Sequence, residues 1–204
     1  MSNLTSVVQH EPWRGPKYRT AGIDGQRICI VGYSHWLAEG EKDSRDLTKR
    51  VISGMIDGSC DFKFFNQIRS YFGFEDNAFW NHVMFFNFLS ECVGGPNERY
   101  MRGRPEQEKR ANERFLRVIR QKPVPHKVLV FTTRGWSTLP PCREEADGQD
   151  LRALNAEKFP GFSYGTYDVS GHIVTAFGLR HPQGASRQLM REAVQYVLKR
   201  KIPD

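Results

Sequence analysis

The chain has 204 residues, 39% hydrophobic and 12% aromatic, which is enough for a sizeable core in one domain and too apolar for a disordered or low-complexity protein. Thirty Lys and Arg stand against 23 Asp and Glu, a formal net charge of +7 that favours a polyanionic partner, nucleic acid first among them. No apolar run approaches the roughly 20 residues that cross a bilayer, and the first residues lack a secretory pattern, so the expectation is a cytoplasmic protein with no membrane partner.

Residues 1–26, rich in Pro and Gly, show no period and read as an N-terminal arm, with residues 27–204 as a single domain. Arg27 to Val31 is a short apolar run stopped by Gly32, the pattern of a buried strand. Ser44 is placed to cap a helix whose apolar positions run from Leu47 to Ile56, ended by Gly58. A second helix is expected from about Asp61, with Phe62, Phe65, Ile68 and Phe72 on its buried face.

Val83 to Leu89, β-branched and aromatic apart from Asn87, reads as a second buried strand. The loop that follows holds Arg99, Arg102 and Arg104, and Pro105 opens a helix that carries Lys109 and ends on Phe115, Leu116, Val118 and Ile119. Lys127 to Phe131 and Ile173 to Phe177 supply two more strands, the first entering a loop with Arg134. A last helix runs from about Ser186 to Arg200. Strands separated by helices predict a three-layer α/β/α sandwich around a central four-stranded parallel sheet, with ligands bound beyond the carboxyl ends of the strands.

Cys29, Cys60, Cys92 and Cys142 stand far apart with no pair at metal-clip spacing, which predicts reduced, buried thiols and no metal or iron–sulfur cluster.

His181-Pro182-Gln183-Gly184-Ala185-Ser186 follows the fourth strand, Gly32-Tyr33-Ser34-His35-Trp36 follows the first, and Asn87 ends the second. These three groups at the strand ends together resemble the uracil-DNA glycosylase superfamily. Pro105-Glu106 after the basic loop, Phe115-Leu116 before the third strand and Arg134-Gly135 after it extend the likeness over roughly residues 27–200. The resemblance implies that Asn87 reads a flipped base and that His181 donates to the base oxygen. The activity it implies is monofunctional hydrolysis of an N-glycosidic bond with water and no cofactor.

An amide offers both donor and acceptor in one plane, which suits a pyrimidine edge, and a donor at the departing base stabilises its negative charge. Tyr33 and Trp36 are the candidate base platforms, and Gly32 belongs to the same base-binding turn. The expected DNA path is Arg99, Arg102, Arg104, Lys109, Arg134 and the second-motif loop with Gln183, Gly184, Ala185, Ser186 and Arg187. Ala185 stands where uracil-excising relatives often carry a bulky wedge.

Ser34 departs from the family, which places an aspartate or asparagine there. A serine orients water without supplying charge, so a modified or damaged base is favoured over plain uracil, and the water-activating group is open among Ser34, His35, Glu39, Glu41 and Asp43. The protein is expected to act on DNA as a monomer, and two other readings compete: a DNA-binding protein of the same fold that lost catalysis, and an acyl hydrolase using Ser34, Asp168 and His172 or His181.

Overall fold

The computed structural model describes residues 8–37, 39–94, 101–142 and 163–200. Its strands are β1 (Trp13–Arg14), β2 (Ile28–Gly32), β3 (Met84–Asn87), β4 (Lys127–Val130), β5 (Ser163–Val169) and β6 (His172–Gly178). They form one sheet in the order β1-β3-β2-β4-β6-β5, so the protein is a mixed α/β fold. The inner pairs are parallel and both edge pairs antiparallel.

The four inner strands are those expected, but the sheet has six strands. At one edge the presumed arm joins the fold: Trp13 and Arg14 pair with β3, and Tyr18 and Ile23 are buried in the core. At the other, β5 and β6 form a hairpin whose two linking residues, Ser170 and Gly171, both have positive φ. That geometry matches the right-handed twist of the flanking strands and suits glycine.

The helices are α1 (Leu47–Asp57), α2 (Lys63–Tyr71), α3 (Pro105–Ile119), the short α4 (Thr133–Thr138) and α5 (Arg187–Lys199). Alternate strand residues feed two separate cores, as a sheet covered on both faces requires. Ile28, Ile30, Phe85 and Leu129 pack with Ile52 and Met55 of α1, Phe65 and Ile68 of α2, and Met190 and Val194 of α5. Cys29, Val31, Phe86 and Val128 pack with Ala111, Phe115 and Val118 of α3.

Three local expectations need correction. Ser44 does not cap α1: the N-cap position is Asp46, and the Ser44 hydroxyl donates to the Asp46 carboxylate at 2.6 Å. Phe62 is exposed, because α2 begins at Lys63, leaving Phe62 as its N-cap, and turns its buried face to Phe65 and Ile68. Of the four cysteines, all free thiols, only Cys29 is buried.

β4 contains an unexpected residue. Lys127 is 1% exposed, and its ammonium donates to the carbonyls of Val197, Leu198 and Arg200 at 2.7, 2.9 and 2.7 Å. It thereby satisfies carbonyls that a helix C-terminus leaves without partners.

Among the described residues no helix is long and apolar enough to cross a membrane.

Candidate active site

The parallel register of β2 and β3 ends on the pair Gly32 and Asn87. A Cβ on Gly32 would stand 2.2 Å from Asn87 Oδ1, so a residue without a side chain is what lets the amide lie across the neighbouring strand end. Asn87 is 4% exposed, yet its side-chain amide makes no hydrogen bond to any described residue and lines a cavity of about 590 Å³. A buried amide normally finds a protein partner, so one left open at a cavity wall is poised for a ligand. Its backbone is fixed instead: Arg114 Nη1 donates to the Asn87 carbonyl at 2.7 Å and Nη2 to the His10 carbonyl at 2.6 Å.

His181 reaches the same cavity from the turn beyond β6. Its Nδ1 accepts the Gln183 backbone N–H at 3.3 Å, which in the neutral ring leaves the proton on Nε2. Partial burial of the imidazole holds its pKa below the usual histidine range, so the neutral donor is the resting form.

Phe64 of α2 stands against His181 with ring centroids 5.3 Å apart and planes at 33°. Its Cζ also approaches to 3.5 Å of where a Gly32 Cβ would be. An aromatic face therefore lies between the first and last motifs. Sequence reasoning missed it, because Phe64 sits off the apolar stripe of α2 and far in sequence from either motif; a phenylalanine beside that stripe was the available signal.

The first-motif loop is held by backbone bonds to the segment after β3, from Leu89 N–H to the Tyr33 carbonyl at 2.8 Å and from Val93 N–H to the His35 carbonyl at 3.1 Å. Tyr33 lines the cavity, but its hydroxyl is committed: it accepts from Gly103 N–H at 3.0 Å and Arg134 Nε at 2.9 Å and donates to Glu108 at 3.0 Å. Ser34 is half-buried at the cavity wall with no hydrogen bond to a described residue. The His35 Nε2 lies 3.0 Å from the Thr48 hydroxyl, and burial, aided by His10 beside it, pushes its pKa down to about 3. His35 itself lines the cavity, as a neutral ring tied to Thr48. Trp36 lines the cavity, half-buried.

The basic residues divide. Arg102, at the cavity mouth, and Arg104 and Lys109, at the start of α3, are exposed as expected. Arg99 lies outside the described residues. Arg134 is already spoken for, its Nη2 pairing with Glu108 at 2.8 Å, so its first task is to pin Tyr33. Gln183 lines the cavity, and Gly184 and Arg187 are exposed beside it. Ser186 instead caps α5 by accepting Leu189 N–H, and Ala185 packs on the core. Lys63 and Arg50, not singled out in the sequence, also line the cavity.

His10, Asp43 and Cys92 form the one group among the described residues with metal-ligand atoms all within 4.8 Å of one another. The His10 Nε2 to Asp43 separation is 2.5 Å, a hydrogen bond and shorter than the roughly 3.3 Å that separates ligands sharing a zinc ion with bonds near 2.1 Å. Burial and the neighbouring Asp43 raise the Cys92 thiol, which donates to that carboxylate at 3.5 Å. The group reads as a proton-sharing cluster that ties the N-terminal segment behind the first motif.

The acyl-hydrolase constellation is not assembled around Asp168 and His172. Asp168 accepts the Gly171 N–H in the hairpin turn, and His172 opens β6, lining a separate cavity of about 720 Å³ with Arg19 and Arg27. Ser34 follows the opposite ends of the parallel strands, roughly 20 Å away at ~3.3 Å per residue.

No protein-family model matches the chain, and no curated protein matches it.

Proposed function

We propose that the protein is a DNA glycosylase, with a fold of the uracil-DNA glycosylase type, that flips a modified or damaged pyrimidine into the 590 Å³ cavity and hydrolyses its N-glycosidic bond. The observation that carries the reading is the open amide of buried Asn87, facing the same cavity as the fixed Nε2–H of His181. Asn87 reads the base edge, Phe64 stacks on its face, and Nε2–H of His181 meets the base oxygen as negative charge builds there. The donor is aimed before the reaction starts, so it costs no reorganisation in the transition state.

The cavity exceeds what a bare pyrimidine ring fills, and its outer wall carries Arg50, Lys63 and Arg102, cations suited to a polar substituent or to the flanking phosphates. That favours an enlarged base, such as the hypermodified cytosine of phage DNA, and a role in phage defence or base-excision repair. The DNA path runs over Arg102, Arg104, Lys109 and the loop from Gln183 to Arg187.

The test is a panel of duplexes carrying single modified pyrimidines, together with phage genomic DNAs, scored for alkali-labile abasic sites. Abasic sites that disappear with His181→Ala support the reading. DNA bound without any abasic site across the panel favours the non-catalytic binding protein, for which the neutral Ser34 is the specific argument. Absence of DNA binding overturns both.

A further inference from the structure

Hydrolysis of the glycosidic bond leaves positive charge on the sugar as well as negative charge on the base. His181 and Asn87 face the base, and Ser34, the residue in the family's carboxylate position, supplies no anion for the sugar.

The acidic groups that follow Ser34 in the chain are placed differently. Asp43 is consumed behind the loop: desolvation opposes its ionisation, but hydrogen bonds from His10 and from the Cys92 N–H outweigh this and hold the carboxyl below its ordinary range. Glu39 is exposed and forms no part of the cavity wall. Glu41 does line the cavity, and among the described lining residues it is the one carboxylate. Arg50 holds it from outside, with Nη1 3.7 Å from Glu41 Oε1, while its Nε stands 3.5 Å from Asp46 and its Nη2 donates to the Ser44 hydroxyl at 3.0 Å. The carboxylate is thus anchored from the first turn of α1, at the cavity that Ser34 also lines.

We propose that Glu41 is the catalytic carboxylate of this site, stabilising the cationic sugar and taking the proton of the attacking water that Ser34 orients. This rests on the glycosylase reading. The C1′–N bond breaks with its electron pair going to the base, whose oxygen accepts from His181 Nε2–H. The water oxygen bonds to C1′, the water proton passes to Glu41 and on to solvent, and the released base takes a proton from solvent.

The test needs no knowledge of the base. Binding is measured for the intact protein on three duplexes: undamaged, with a neutral tetrahydrofuran abasic analogue, and with a cationic pyrrolidine analogue of the charged sugar. The wild-type protein should favour the cation over the neutral analogue by about tenfold or more, as for a close charge pair. Glu41→Gln should lose that preference while binding the tetrahydrofuran duplex as before, and Glu41→Asp should fall between. Unaltered tetrahydrofuran binding certifies the fold of each variant.

A preference retained in Glu41→Gln, or equal wild-type affinity for both analogues, overturns the role of Glu41 and leaves the glycosylase reading standing. Wild-type protein that binds neither analogue better than undamaged duplex overturns the glycosylase reading itself.

Discussion

The carbonyl of Asn87 and the guanidinium of Arg114 are joined by a buried hydrogen bond of 2.7 Å, with no carboxylate among the described residues to share the charge. Arg114 is 3% exposed, and burial lowers its pKa to about 10, so two backbone carbonyls and the face of Phe86, 5.2 Å away, are its compensation. Arg114→Met orphans the carbonyls of Asn87 and His10, and each buried acceptor left bare costs about 1–3 kcal/mol. The expected loss is roughly 2–4 kcal/mol in urea unfolding, with base discrimination lost as Asn87 loosens. A variant as stable as the parent would remove Arg114 from the account of the site.

Asn87→Ala should behave in the opposite manner. Its amide supports no protein group, so stability should stay within about 1 kcal/mol while discrimination between base analogues collapses. DNA affinity should change little, because phosphate contacts dominate binding and base contacts specify. A large drop in thermal midpoint would make Asn87 structural.

His181→Ala should cost about 10²–10³ in single-turnover rate with DNA binding nearly intact, the loss typical of one donor at a developing anion. Ser34→Ala should retain measurable activity, since water can be positioned without it. Complete loss on Ser34→Ala, with covalent labelling by a serine-directed inhibitor, would point to acyl transfer instead.

Salt should separate the cations. Arg102→Ala and Lys109→Ala, both exposed, should each reduce the slope of log K against log salt by about 0.9 on duplex DNA, whatever the sequence. Arg134→Ala frees Tyr33 and Glu108 and should lower stability as well. An unchanged slope in the first two variants moves the DNA path elsewhere.

Acid should weaken the fold above the carboxylate range. His35 binds its proton near pH 3 in the folded protein and near 6.5 when unfolded, so between these values the unfolded state holds a proton that the folded state refuses. Its contribution is fully present above pH 6.5 and is lost as pH falls toward 3. Burial shifts His126 and His181 in the same direction, adding the same sign. The urea midpoint should drop from pH 7 to pH 5, and His35→Gln should flatten that dependence.

What the sequence discloses follows from how each element is buried. The inner strands are read from continuous apolar runs such as Ile28 to Val31, because a strand buried on both faces has no polar positions. β1 spans only Trp13 and Arg14, too short for a period, and β5, with Gly165, Thr166 and Asp168, has no such run. Asn87 and His181 were legible as strand-end residues, and the structure brings both to one cavity, with Gly32 paired to Asn87 behind it. Phe64 and Arg114 were not: an aromatic beside a helix stripe and an arginine on an amphipathic helix look alike whether they face solvent or a site. Glu41 and Asp43 are two residues apart, and only packing against His10 and Cys92 takes one of them out of the cavity.

Lys127 has a consequence for the other end of the helix it holds. α5 is 13 residues long, about 20 Å at ~1.5 Å per residue, and its final carbonyls are clamped to the start of β4 while its first turn begins six residues after His181. The helix is therefore a strut braced against the floor of the sheet, and the His181 turn hangs between that strut and the end of β6. Shortening Lys127 releases the strut at its foot, so the imidazole can lose its aim through a change made at the opposite end of the protein.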